Sequence, residues 1–188
     1  MLIIGITGTL GAGKGTIVDY LITEKQFKHF SVRSFLIEEI ERRGLEVNRD
    51  TMTLVGNELR AKNSPSYNVD CLFERALKSG GNCIIESIRT PGEIDSLKKK
   101  GKFILFAVDA DPMVRYDRIV VRNSVTDKIS YETFIQNEER EMNSDDPNKQ
   151  NIFACIKQAD YQFNNDGTVA GLILQVEAVL KEIDNHGK

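Results

Sequence analysis

An α/β fold of three layers, with a five-stranded parallel sheet between helices, is what the 188-residue sequence predicts. Three observations predict it. Short apolar runs alternate with amphipathic stretches along the chain, the pattern of strands joined by covering helices. The run Phe103–Val108 is apolar on both faces, as a central parallel strand is. The apolar start Leu2–Thr7 runs directly into a glycine-rich segment and then into Ile17, Val18, Leu21 and Ile22 at helical spacing.

The strands expected in order are Leu2–Thr7, a short one near Lys28–Val32, Asn82–Glu86, Lys102–Val108 and Tyr161–Asn164. Helices fill the gaps. Val69, Leu72, Phe73, Ala76 and Leu77 share one helical face, and so do Val169, Leu172, Ile173, Val176, Leu180 and Ile183. Thr90-Pro-Gly-Glu93 offers an N-cap, a proline at the first helical position and the glutamate of a capping box. Asp111-Pro112 supplies a second cap, and Ile129 and Phe134 flank Ser130 with the spacing of a hydrophobic staple. Two stretches are less regular: residues 44–66 around a helix-like Thr51–Lys62, and the polar gap 123–129. No repeat, low-complexity tract or linker divides the chain, so residues 1–188 read as one domain with these two excursions.

Bulk properties narrow the function. A net charge of −3 and a pI near 5.5 argue against a duplex-binding surface. A basic site must then be a local cluster, which suits a small anion better than a nucleic acid. Cys71, Cys83 and Cys155 are an odd number, without metal-like spacing, and read as buried small hydrophobes of a reducing compartment. The apolar start is too short for a leader and no stretch approaches a membrane span, so a cytoplasmic protein is expected.

The chemistry begins at Gly8-Thr-Leu-Gly-Ala-Gly-Lys-Gly-Thr16. Gly8, Gly11, Ala12, Gly13 and Gly15 let backbone N–H groups turn inward around a β-phosphate, and the following helix directs its positive end at the same group. Lys14 is placed to reach β- and γ-phosphate oxygens. The residue after the lysine is Gly15, so a Mg²⁺-ligating hydroxyl has to come from Thr16. The expected cofactors are ATP and Mg²⁺.

Gly13-Lys-Gly-Thr16 resembles the adenylate-kinase branch of the P-loop kinases, and the chain is similar to small adenylate-kinase-related and dephospho-CoA-kinase-like proteins. Ser31-Val-Arg-Ser34 sits where such kinases carry Ser-x-Gly-Asp, and Ile84–Thr90 resembles their strand ending in Asp-Gly-x-(Pro)-Arg-x. Ala159–Thr168 resembles their last strand and Asn-rich turn, which places Asn165 near the adenine. The resemblance implies a substrate-binding helical excursion at about 33–79 and a lid at about 115–142.

A phosphoryl group in flight spreads charge over its equatorial oxygens, so cations that converge on it are the catalytic machinery. Arg89 follows the third expected strand and lies at the carboxyl end of the sheet, where ligands of open α/β folds bind. Arg33 and Arg60 are further candidates for substrate phosphate. Arg115, Arg118 and Arg122 share a helix face, and the resemblance makes Arg118 and Arg122 lid arginines. Glu138-Glu-Arg-Glu141 reads as solvated helix surface.

Two departures bear on the acceptor. Glu86 stands where the resembling kinases have Asp at a Mg²⁺ site, and Ser34 replaces an expected aspartate base. A phosphate acceptor is already an anion and needs no strong base, so a (deoxy)nucleoside monophosphate is the expected acceptor. The alternatives are phosphorylation of a hydroxyl, as in dephospho-CoA kinases, and a P-loop module that binds ATP without being a kinase.

Overall fold

The computed structural model describes residues 1–122 and 129–186. Strand β1 (Leu2–Gly8) leads through the glycine-rich loop into α1 (Lys14–Lys25), β2 (Lys28–Ser31) and α2 (Val32–Arg42). Helices α3 (Arg49–Lys62) and α4 (Tyr67–Ser79) precede β3 (Cys83–Glu86). Then come α5 (Pro91–Lys100), β4 (Lys102–Asp109), α6 (Pro112–Arg122), α7 (Tyr131–Met142), α8 (Ile152–Lys157), β5 (Tyr161–Asn164) and α9 (Val169–His186).

The five strands form one parallel sheet in the order β2-β3-β1-β4-β5. Side chains alternate across it, as the strand period of two requires. Ile3, Ile85 and Leu105 point into a core closed by α2, α3, α4, α5 and α8, with Ile40, Leu72 and Leu97. Ile4, Ile6, Ile84, Phe106 and Val108 point into the opposite core, closed by α1 and α9 with Leu21, Leu172 and Val176. Phe106 packs edge-on against Phe163, ring centroids 5.1 Å apart. Burying each such side chain contributes roughly 1.5–3 kcal/mol. Gly5 is required by packing: a Cβ there would lie 2.6 Å from Ile88 Cδ1 and from the Phe103 ring. The three-layer α/β fold with its five-stranded parallel sheet is the one expected.

Differences from the expected elements are small and local. Asn82 precedes β3, its side chain accepting from Leu2 N and its carbonyl from Lys28 N. Helix α3 starts at Arg49 because the Asn48 side chain caps it by accepting from Thr51 N at 2.9 Å. The capping box at Thr90 is complete, and Asp111 accepts from Met113 N at 2.8 Å. Ser130 caps α7, with Phe134 fully buried behind it. The short helix α8 was not expected. Cys83 and Cys155 are buried thiols, whereas Cys71 is only half-buried. Residues 123–128 of the expected polar gap and lid lie outside the described residues. Among the described residues no helix is long and apolar enough to cross a membrane.

Because all strands are parallel, Gly8, Ser31, Glu86 and Asp109 end at the same edge of the sheet. The site is built there.

Candidate active site

A cavity of about 710 Å³ opens at this edge, between the glycine-rich loop, α2 and α3, the tip of β3 and the inner face of α6. Its lining includes Gly11, Gly13, Lys14, Gly15, Thr16, Arg33, Arg60, Glu86, Arg89, Arg118 and Arg122. Most of the residues singled out in the sequence therefore converge on one space.

The loop is held from behind. Gly13 has φ 105°, and a Cβ on it would lie 2.3 Å from the Asn165 amide nitrogen. That amide donates to Ala12 O at 2.8 Å, and Asn165 itself is buried. Asn165 thus braces the loop with its side chain, where the resemblance implied contact with a base. Gly11 is closed from the other side, its would-be Cβ 2.5 Å from Arg115 O. Helix α1 begins at Lys14, where Thr16 N and Ile17 N donate to Gly13 O at 3.1 and 3.4 Å, and its first residues Lys14, Gly15 and Thr16 line the cavity, so the positive end of the helix borders it.

Lys14 Nζ donates to Gly8 O at 2.9 Å and Thr9 O at 2.7 Å, which folds the side chain over the loop. Burial, helped by the Arg89 charge, lowers its pKa to about 8, while Glu86 and Glu141 oppose the shift. Glu86 ends β3 with both carboxylate oxygens engaged, one by Ser87 Oγ at 2.6 Å and the other by Ser31 Oγ at 3.2 Å.

Two arginines that line the cavity share one carboxylate, which lines it too. Arg89 Nη1 donates to Glu141 Oε2 at 2.5 Å and to Gln150 Oε1 at 3.1 Å. Arg49 Nη2 donates to Glu141 Oε1 at 2.7 Å. The Glu141 side chain is only 5% exposed. Burial alone would raise its pKa, but Arg89 and Arg49 outweigh that and hold it below the usual carboxylate range. Two guanidinium groups against one carboxylate leave a net positive charge facing Lys14. Buried Arg49 Nε has no protein partner among the described residues.

Glu141 corrects the reading of the 138–141 run as solvated surface. Phe134, Glu138 and Glu141 lie on one face of α7, so the phenylalanine that anchors the helix carries both acids inward. Glu138 pairs with Arg115, which also stacks its guanidinium over Phe134 and donates to Leu10 O at 3.3 Å. Arg115 is therefore a buried pin between α6, α7 and the loop. Arg118 Nη2 donates to Asn165 O at 2.7 Å, while its buried Nη1 has no protein partner among the described residues. Arg122 lines the cavity one turn further on.

Arg60, read as a phosphate clamp, has another engagement. It is 2% exposed, and its Nε and Nη2 both lie 2.9 Å from Glu93 Oε1. Glu93 Oε2 accepts from Arg89 N at 2.7 Å and Thr90 N at 3.2 Å. Arg60 thus fixes the capping box that carries Arg89, and acts on the cavity through it. Arg33 is exposed on α2, with Nη1 3.5 Å from Met52 Sδ. Arg49, Glu141 and Gln150 were missed. The Asn48 cap was the available signal for Arg49, and the 134–138–141 spacing was the signal for Glu141.

Known proteins share the fold. Residues 4–144 match the AAA domain family model. A UPF0200 protein of Methanococcus maripaludis is 30% identical over 188 residues, covering 97% of this chain and 98% of its own. A second UPF0200 protein, from Methanocaldococcus jannaschii, is 29% identical over 99% of this chain and 92% of its own. A gluconokinase from Sinorhizobium meliloti superposes with a TM-score of 0.63 at 11% identity, over 98% of this chain and 94% of that one. A shikimate kinase from Bacteroides thetaiotaomicron does so with 0.55 at 14% identity, over 97% and 98%. The chain belongs to the UPF0200 family and has a P-loop kinase-like fold.

Proposed function

We propose that this protein is an ATP-dependent phosphotransferase that moves the γ-phosphate of ATP to a (deoxy)nucleoside monophosphate. The observation that carries the reading is the Arg49–Glu141–Arg89 cluster, a cationic group that lines the same cavity as Lys14 and would serve as its acceptor wall. The loop and the α1 N-terminus hold the β-phosphate, Lys14 bridges toward the γ-phosphate, and Arg89 with Arg49 holds the acceptor phosphate. An acceptor oxygen bonds to the γ-phosphorus as the bond to the bridging oxygen breaks, and ADP leaves with that electron pair. Lys14, Arg118 and Arg122 face the charge that develops. Leu36, Met52 and Gly56 line the cavity beside Arg33 and offer an apolar wall to a flat base.

Thr16 in the first turn of α1 and Glu86 at the tip of β3 both line the cavity and would hold Mg²⁺, since a hydroxyl and a carboxylate are the hard oxygen donors that cation takes. When bound it neutralises phosphate charge.

A coupled assay against a panel of nucleoside monophosphates tests the reading. Turnover of one or more is expected; no turnover with any of them, beside turnover of a hydroxyl acceptor, would overturn it. The hydroxyl reading has one observation of its own: Glu86 is a carboxylate held at the strand tip beside Lys14, placed where an acceptor proton could go.

A further inference from the structure

Ser87 follows β3 with φ 72°, in the left-handed region that glycine adopts freely and other residues adopt at a cost. Among the described residues the other non-glycine with positive φ is Gln26, the C-cap of α1, where such a conformation is ordinary. Ser87 has no such excuse. Its N–H and that of Ile88 both donate to Ile6 O, at 3.0 and 3.1 Å, so the turn is pinned to β1 just before the phosphate loop. The surroundings thus impose the conformation, and the residue type is what needs a reason.

The reason is the hydroxyl that glycine lacks. Ser87 Oγ donates to Glu86 Oε1 at 2.6 Å. Ser31 Oγ donates to Glu86 Oε2 at 3.2 Å while accepting from Ser34 N at 3.3 Å. Each carboxylate oxygen therefore has its own hydroxyl, and a carboxylate has lone pairs left for a further donor. A glutamate has three side-chain torsions, so unheld it would spread over many rotamers at the mouth of the cavity.

We propose that Ser87 is a positioning residue that keeps a left-handed backbone in order to hold, together with Ser31, the Glu86 carboxylate toward the phosphate site. This rests on the reading that Glu86 serves metal-bound nucleotide phosphate. Its consequence is a separation: the strain and the hydroxyl reside in one residue, and two substitutions split them. Ser87→Gly removes both the strain and the hydroxyl, whereas Ser87→Ala removes only the hydroxyl.

Mn²⁺ binding to the protein–ATP complex, read by electron paramagnetic resonance, is the test, with ATP affinity without metal and thermal midpoint measured alongside. Both variants are expected to bind Mn²⁺ about 10-fold more weakly, the usual size of losing an outer hydrogen bond to a ligand group. Metal-free ATP affinity stays native, and Ser87→Gly melts at or above the native temperature, which shows that the fold is intact. Native Mn²⁺ affinity in both Ser87 variants would overturn the proposal, with or without a change in melting. Glu86→Gln separates the two levels. If it weakens Mn²⁺ and the Ser87 variants do not, only the role of Ser87 fails. If Glu86→Gln itself has no effect, the reading of Glu86 fails and Ser87 with it.

Discussion

The two halves of the cavity are built in opposite ways. The phosphate-loop half is one continuous segment, Gly8–Thr16, whose residue types and order state its chemistry. The acceptor half is assembled from three places: Arg89 reaches Glu141 across 52 positions of chain, and Arg49 reaches it across 92. A local site carries its chemistry in one run of residues, with Asn165 and Arg115 bracing this loop through its carbonyls. A dispersed one depends on every element that brings its parts together, here α3, the β3–α5 turn and α7. Substitutions in the first half should therefore strike nucleotide binding and leave stability alone, while those in the second should couple acceptor use to stability.

The largest effect expected is from Lys14→Met, which removes the cation beside the transferring phosphate. Turnover should fall by about 10²–10³-fold, the usual cost of losing one such donor, with the melting temperature near native. A steady-state assay beside a thermal melt checks both. On the other side, Glu141→Ala leaves Arg49 and Arg89 without their shared carboxylate. Breaking a buried pair from one side costs about 3–5 kcal/mol, so this variant should melt well below the native protein while the isolated loop chemistry is untouched. A denaturant titration measures it, and a stability loss under about 1 kcal/mol, the size of a surface pair, would erase the contrast.

These predictions also mark what was legible in the sequence. Strand β4, the loop and the Thr90 capping box depend on residues close together in the chain, and each was readable because neighbouring side chains state the local geometry. Glu141 was not, because nothing within its own run of charges distinguishes an acid facing two arginines from one facing water. Only the phase set by Phe134 on the same helix turns it inward. Arg60 failed in the mirror sense. It has the residue type of a phosphate clamp, but Glu93, 33 positions away, already occupies it. Asn165 likewise lies where an Asn-rich turn was expected, yet packing against Gly13 gives its amide to the loop carbonyl.

A smaller effect sharpens the comparison through pH. Lys14 in the free protein loses its proton near pH 8, below the usual lysine value of 10.5, because the site is buried and Arg89 lies close. Between these values the unfolded chain holds more protons than the folded one, so the free protein gains stability as pH rises through that window. A phosphate-bearing ligand prefers the charged amine, so ATP affinity should weaken above pH 8, by up to about tenfold per pH unit for one linked proton. Calorimetry from pH 7 to 9.5 reads this directly, and Lys14→Arg should flatten the slope because its guanidinium stays charged. The smallest change expected is from Thr90→Ala. Loss of the cap costs about 1 kcal/mol and loosens the turn that carries Arg89, with ATP affinity native.

Arg49→Ala gives the most direct test of the acceptor half. The measurement is ATP affinity and acceptor KM on the same preparation, using the monophosphate that the native protein turns over best. Removing one of two phosphate-binding guanidinium groups should raise acceptor KM by about 10-fold or more, the scale of one charge-assisted hydrogen bond, while ATP binds as before. A native acceptor KM combined with weakened ATP binding would contradict the division of the cavity into a nucleotide half and an acceptor half.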